Sequence, residues 1–176
     1  MTGPAELLGA HVRDIPDFPK PGIVFKDITP LLADAAAFQQ SIDILAAHFR
    51  GRGIEAVVAA EARGFIFAAP LAIALGAGFV PIRKPGKLPF DTHAFHYELE
   101  YGTDVLEIHI DGVRPGQKVL VVDDLLATGG TVDACCKLLE KLGADVVACG
   151  FFIELAFLRG AQRIYPREVF SVLKYE

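Results

Sequence analysis

The run Lys118–Asp124 (KVLVVDD) places apolar side chains on both faces of an extended strand and ends on two carboxylates. A strand that is apolar on both faces has to be covered on both, which is the condition of a parallel sheet sandwiched between helices. The neighbouring segments fit that frame. Ala56–Glu61 (AVVAAE), Phe79–Arg83 and Asp145–Glu154 also read as short apolar strands, and Asp104–Ile110 as a weakly alternating one. Between them lie helical patterns over roughly Ala35–Gly51, Gly64–Leu75 and Thr131–Leu142; in the first, Ile42, Leu45, Ala46 and Phe49 form one apolar stripe. Strands alternating with helices predict an α/β fold. With 52% hydrophobic and 22% charged residues the chain has the material for a packed core.

Charge narrows the partners. Seventeen basic against 22 acidic residues leave a net charge of −5, which argues against a broad nucleic-acid footprint. A few local cations can still hold one small anion. The longest apolar stretch, Gly64–Gly78, is shorter than the ~18 residues of a membrane span, so no membrane partner is expected. Three cysteines without CxxC spacing fit reduced thiols and a cytoplasmic location.

The segment Val121–Thr131 (VVDDLLATGGT) carries the sharpest chemical signal. At the carboxyl edge of a parallel sheet, strand ends and helix starts face a common crevice. Gly129 and Gly130 let the backbone approach a ligand, Thr128 and Thr131 offer hydroxyls, and free N–H groups of a helix start favour an anion. Asp123 and Asp124 repel phosphate but accept hydrogen bonds from sugar hydroxyls. The combination asks for a sugar phosphate. The simpler reading is a helix capped by Thr128 or Thr131 after a buried strand.

Other motifs fail on context. Gly51–Ala56 matches G-x-G-x-x-A but follows a helix and precedes a strand, so it reads as a helix stop. His93 and His96 lack an evident third ligand, and Cys135 and Cys136 fall within a helix pattern. The stretch Lys84–Tyr101 shows no clear period and far exceeds the ~4–6 residues of an ordinary connection, which predicts a functional lid. Upstream, Ile15–Gly22 is too rich in proline for a helix.

Asp123–Thr131 resembles the signature of the type I phosphoribosyltransferases, which act on 5-phosphoribosyl-1-pyrophosphate (PRPP). Asp17–Thr29, Glu61–Phe65, Ile82–Pro89, Tyr97–Gly102 and Phe170–Glu176 resemble the adenine-using members, in the family's order along nearly the whole chain. The resemblance implies one domain over residues 1–176: a parallel sheet flanked by helices, a small hood from residues 1–34 and a mobile catalytic loop over 84–101. It implies that Ala127, Thr128, Gly129, Gly130 and Thr131 hold the 5-phosphate and that Asp123 and Asp124 address the ribose hydroxyls. Arg63 would meet the pyrophosphate beside a cis peptide between Glu61 and Ala62. Arg83, Lys84 and Lys87 would be the cations of the closing loop. Glu100, followed by Tyr101, would take the purine proton. The base would lie against Phe25, its edge read by main-chain groups of Val24 and Lys26, with Leu155 packed nearby. Adenine and PRPP are the implied substrates, Mg2+ held through PRPP the implied cofactor, and a homodimer the implied assembly. Lys26, where relatives often carry Arg, keeps open a 6-oxopurine substrate; a non-catalytic PRPP sensor is the other alternative.

Overall fold

The computed structural model describes residues 4–98 and 103–176. The N-terminal segment forms a short helix α1 (Pro4–Gly9) and an antiparallel pair, β1 (Arg13–Pro16) with β2 (Val24–Asp27). Helices α2 (Thr29–Ala33) and α3 (Ala35–Phe49) follow, the second capped by Asp34, whose carboxylate accepts from the Ala36 and Ala37 amides. Then come β3 (Ala56–Ala60), α4 (Gly64–Leu75), β4 (Gly78–Ile82), β5 (Thr92–Glu98) and β6 (Thr103–His109). The chain continues through β7 (Lys118–Leu126), α5 (Gly130–Lys141), β8 (Asp145–Leu155), a 3-10 turn (Ala156–Leu158), α6 (Gly160–Arg163) and β9 (Glu168–Tyr175).

Five strands build one parallel sheet in the order β4-β3-β7-β8-β9. The expected doubly covered sheet is what forms. Along β3, Val57 packs into a layer with Leu45, Phe49, Phe67 and Leu71 of α3 and α4, while the next residue, Val58, enters the opposite layer with Cys135, Leu138 and Leu139 of α5. Strand alternation thus feeds two hydrophobic layers from one segment. All three cysteines are buried free thiols. Gly51 adopts φ 80° just after α3, as a helix stop requires.

The Lys84–Tyr101 stretch departs from expectation. Residues 92–98 form β5, paired antiparallel with β6 from Thr92↔His109 to Glu98↔Thr103. The physical reason is a period of two: Phe95 and Tyr97 lean on the α5 side of the core. In that strand His93 and His96 sit an odd number of residues apart and face opposite sides, so they cannot share a metal. Strands β1, β2 and β9, and the short turns after β8, were outside the sequence expectation.

Candidate active site

Strand β7 runs two residues beyond the aspartates, so the cradle starts at Ala127. Gly129, at φ 79°, is the residue before α5, and no side chain caps the helix. The threonines therefore do not cap it, and the first-turn N–H groups remain for a ligand. A cavity of about 240 Å3 is lined by Arg63, Asp123, Asp124 and the Ala127–Thr131 turn. All seven residues expected at the sugar-phosphate end are thus together, and Arg63 with them.

Gly129 needs to be glycine for space as well as for φ. A Cβ there would lie 2.8 Å from the Gly160 carbonyl oxygen, and one on Gly160 would lie 2.2 Å from the Ala127 oxygen. The start of α6 therefore backs the cradle directly.

Arg63 links three parts of the site. Its Nε lies 2.8 Å from Asp124 Oδ2, and its guanidinium stacks 5.4 Å from the centre of the Phe25 ring. Asp124 is buried, 4% exposed. Burial pushes its carboxyl up against the opposing pull of Arg63. Asp123 rises well above the usual range, through burial and then through the neighbouring Asp124 charge. It accepts the Asp124 amide at 2.9 Å.

On the other side of β2 a cavity of about 610 Å3 is lined by Val24, Lys26 and Leu155 together with Asp14, Phe157 and Tyr175. Phe25 faces Arg63 instead, with Phe18 edge-on at 5.2 Å. The four expected base-site residues therefore divide between the two faces of the hood strand.

Known proteins now bear on this geometry. Residues 28–175 match the family model described as a phosphoribosyl transferase domain. An adenine phosphoribosyltransferase of Rhodopirellula baltica is 64% identical over 94% of this chain and 80% of its own length. One from Roseiflexus sp. is 57% identical over 93% and 95%. The chain belongs to the adenine phosphoribosyltransferase family. It is an enzyme of the pentosyltransferase class. Among solved structures, the adenine phosphoribosyltransferase of Thermoanaerobacter pseudethanolicus superposes with a TM-score of 0.94 at 55% identity, covering 97% of this chain and 99% of that one. The Saccharomyces cerevisiae enzyme, solved with adenine and an imino-altritol bisphosphate, gives 0.92 at 38% identity, covering 98% and 100%.

The loop residues of this family member are tied down by carboxylates. Arg83 Nη2 donates to Glu61 at 3.1 Å, and the Lys84 amide donates to the same carboxylate at 2.6 Å. First the Lys84 amide and then the Arg83 guanidinium hold the Glu61 carboxyl below its ordinary value; Lys87 adds its charge. The Glu61–Ala62 peptide is cis, as the resemblance implies. Lys84 pairs through its ammonium with Asp104, which also accepts the Tyr97 hydroxyl at 3.2 Å. Among the described residues, Arg83 Nε is buried without a partner. Glu100 and Tyr101 lie outside the described residues.

Several contributors escaped the sequence reading. Glu61 anchors Arg83 and Lys84, Asp104 holds the Lys84 ammonium and the Tyr97 hydroxyl, and Gly160 supports the cradle from far along the chain. Gly64 is another, since a Cβ there would stand 2.9 Å from Asp123 Oδ1. Only Gly64 had a local signal, its position directly after Arg63.

Proposed function

We propose that the chain transfers the phosphoribosyl group of PRPP to adenine, giving AMP and diphosphate. The observation that carries this reading is the uncapped start of α5 sharing one cavity with Arg63 and the buried Asp123–Asp124 pair. Backbone N–H groups of Gly129–Thr131 and the threonine hydroxyls hold the 5-phosphate. The two aspartates accept the ribose 2- and 3-hydroxyls, with Arg63 orienting Asp124 and pulling against the upward push of burial on its carboxyl.

At the anomeric carbon the bond to diphosphate breaks ahead of the new bond to the base nitrogen. Arg63, Arg83, Lys84 and Lys87 stabilise the departing charge, and the orphaned Arg83 Nε is a donor suited to a ligand oxygen. Lys84 leaves Asp104 to do so as the 84–101 segment closes and excludes water. Glu100, followed in the chain by Tyr101, takes the purine proton, which makes the nitrogen a nucleophile. The donor set facing the cavity fits Mg2+: Asp124 is committed to Arg63, so the ion would be carried by PRPP oxygens with little from the protein. Bound there, it would screen the diphosphate charge.

The base lies against Phe25, on the Arg63 face of β2, its edge read by the Val24 and Lys26 main chain, while the Leu155 side chain lines the cavity on the other face. A 6-oxopurine would call on the Lys26 ammonium as donor, and that ammonium is engaged elsewhere: it lies 2.6 Å from Asp14 and 3.9 Å from the centre of the Tyr175 ring. This supports adenine. A homodimer is supported by an apolar face at the sheet edge, where Ile73 of α4 is 83% exposed and Phe79 of β4 is 36% exposed. Among the described residues no helix is long and apolar enough to cross a membrane. The three free thiols suit the cytoplasm.

Turnover with PRPP and Mg2+ and each of adenine, guanine, hypoxanthine and xanthine tests the reading. AMP from adenine and no product from the others is expected. A 6-oxopurine product would overturn the base assignment, and intact PRPP binding without product would mark a sensor.

A further inference from the structure

We propose that Asp104 is a positioning residue that competes with diphosphate for the Lys84 ammonium and so sets how tightly diphosphate is held; this rests on the phosphoribosyl-transfer reading. Asp104 is the second residue of β6 and the direct cross-strand partner of Tyr97. Cross-strand partners share a face of the pair, and here that face packs towards α5. Leu106 and Ile108, two and four residues beyond Asp104, are buried in the layer that α5 covers, and Tyr97 leans on the same layer. Tyr97 also lines one cavity with Gly130, the first residue of α5. Burial raises its hydroxyl, and Thr131 of the cradle pulls it the other way. Asp104 therefore holds its charge at the margin of the phosphate cradle.

The backbone around Lys84 is pinned. Arg83 exchanges both main-chain hydrogen bonds with Glu107 of β6, at 2.9 and 2.8 Å, and the Lys84 amide donates to Glu61, just after β3, at 2.6 Å. What is left to move is the flexible four-carbon stem of Lys84 with its charge. One end of that swing is Asp104, whose Oδ1 accepts the Val105 amide at 2.8 Å while Oδ2 takes the Lys84 ammonium and the Tyr97 hydroxyl. The Lys84 hydrogen bond holds the Asp104 carboxyl below its ordinary value, so it is ionised at neutral pH. Burial works against the Lys84 charge, and Asp104 more than offsets it. The other end of the swing is the diphosphate of PRPP. To gain the ammonium, diphosphate has to displace a carboxylate, which cancels part of the attraction. The same carboxylate recaptures the ammonium once the bond to the anomeric carbon has broken, and so helps the product to leave. Asp104 acts wholly through Lys84 and touches neither substrate.

The experiment measures the Kd for magnesium diphosphate by calorimetry, and KM for PRPP and for adenine by kinetics. The proteins are the parent, Asp104→Asn, Lys84→Met and the double variant. Asparagine keeps the shape of Asp104 and an oxygen for the Val105 amide, so the β5–β6 pair is preserved. In Asp104→Asn the diphosphate Kd and the PRPP KM should both fall by about 5-fold, the top of the range for a partly exposed ion pair, with the adenine KM unchanged. Adding Asp104→Asn to Lys84→Met should move neither constant. Values unchanged or raised in Asp104→Asn overturn the proposal. An equal fall in the Lys84→Met background also overturns it, since the freed ammonium would not be the cause. So does an adenine KM that shifts alongside, the mark of a distorted hairpin. Each of these leaves the transfer reading standing as long as the parent makes AMP; a parent that makes none removes that reading and this proposal with it.

Discussion

Asp123 shows how a single residue's function opposes stability. Burial and the adjacent Asp124 raise its carboxyl well above the usual range, so in the folded chain the ionised form is disfavoured. A folded value above the unfolded one, ~4, means that stability is fullest below that pH and is lost as pH rises through the raised folded value. Asp123→Asn removes that cost while keeping an oxygen to accept the Asp124 amide. We expect this variant to melt above the parent at pH 7, by about 2–4 °C for each ~1 kcal/mol relieved, with the gap closing towards pH 4. PRPP turnover should fall by about 10-fold or more, since an amide is a weaker acceptor for the ribose hydroxyls. Thermal melts across pH, with kinetics at pH 7, decide it; a gap that does not change with pH would remove the titration argument. Arg63 came from the family resemblance, whereas the aspartate pair and the cradle glycines were legible in the sequence, because each lies within a few residues of a strand end or helix start. Their protonation was not, because it depends on the packing around them.

Among elements, the α6 start and the β5–β6 pair define what surrounds the cradle. Gly160 touches the Ala127 carbonyl so closely that any Cβ must displace it. Gly160→Ala should therefore raise the KM for PRPP by about 10-fold, ~1.4 kcal/mol, and leave the KM for adenine nearly unchanged. Steady-state kinetics with each substrate varied in turn check this, and an unaltered PRPP KM would show that the cradle tolerates the shift. The β5 strand was present in the sequence as alternation of Phe95 and Tyr97, yet it was masked by the polar and proline-rich residues before it. Its pairing with β6 supplies what the pattern lacks, since a lone strand of this kind gains order only from its partner. Asp104, which binds Lys84 and Tyr97, belongs to that partner and is invisible to any local reading.

For the whole molecule, assembly turns on the edge of the sheet. Ile73 stands 83% exposed on α4 beside the edge strand β4, where Phe65 and Phe79 pack edge-on at 5.4 Å. Apolar side chains on an unpaired edge are the surface on which the proposed homodimer would form. Light scattering should give twice the 19.0 kDa chain mass for the parent, and Ile73→Glu should shift it towards one chain; a parent already of single mass would refute the homodimer. The sequence alone determined the α/β class, the parallel sheet and the sugar-phosphate end of the site. Those rest on doubly apolar strands and on a contiguous turn, which are local and periodic features. Tertiary structure decided the rest. It joined Arg63 to Asp124, set Gly160 behind Gly129, and closed Lys26 onto Asp14 and Tyr175. Each of those contacts joins residues distant along the chain, and its partner is chosen by how the strands stack and not by spacing.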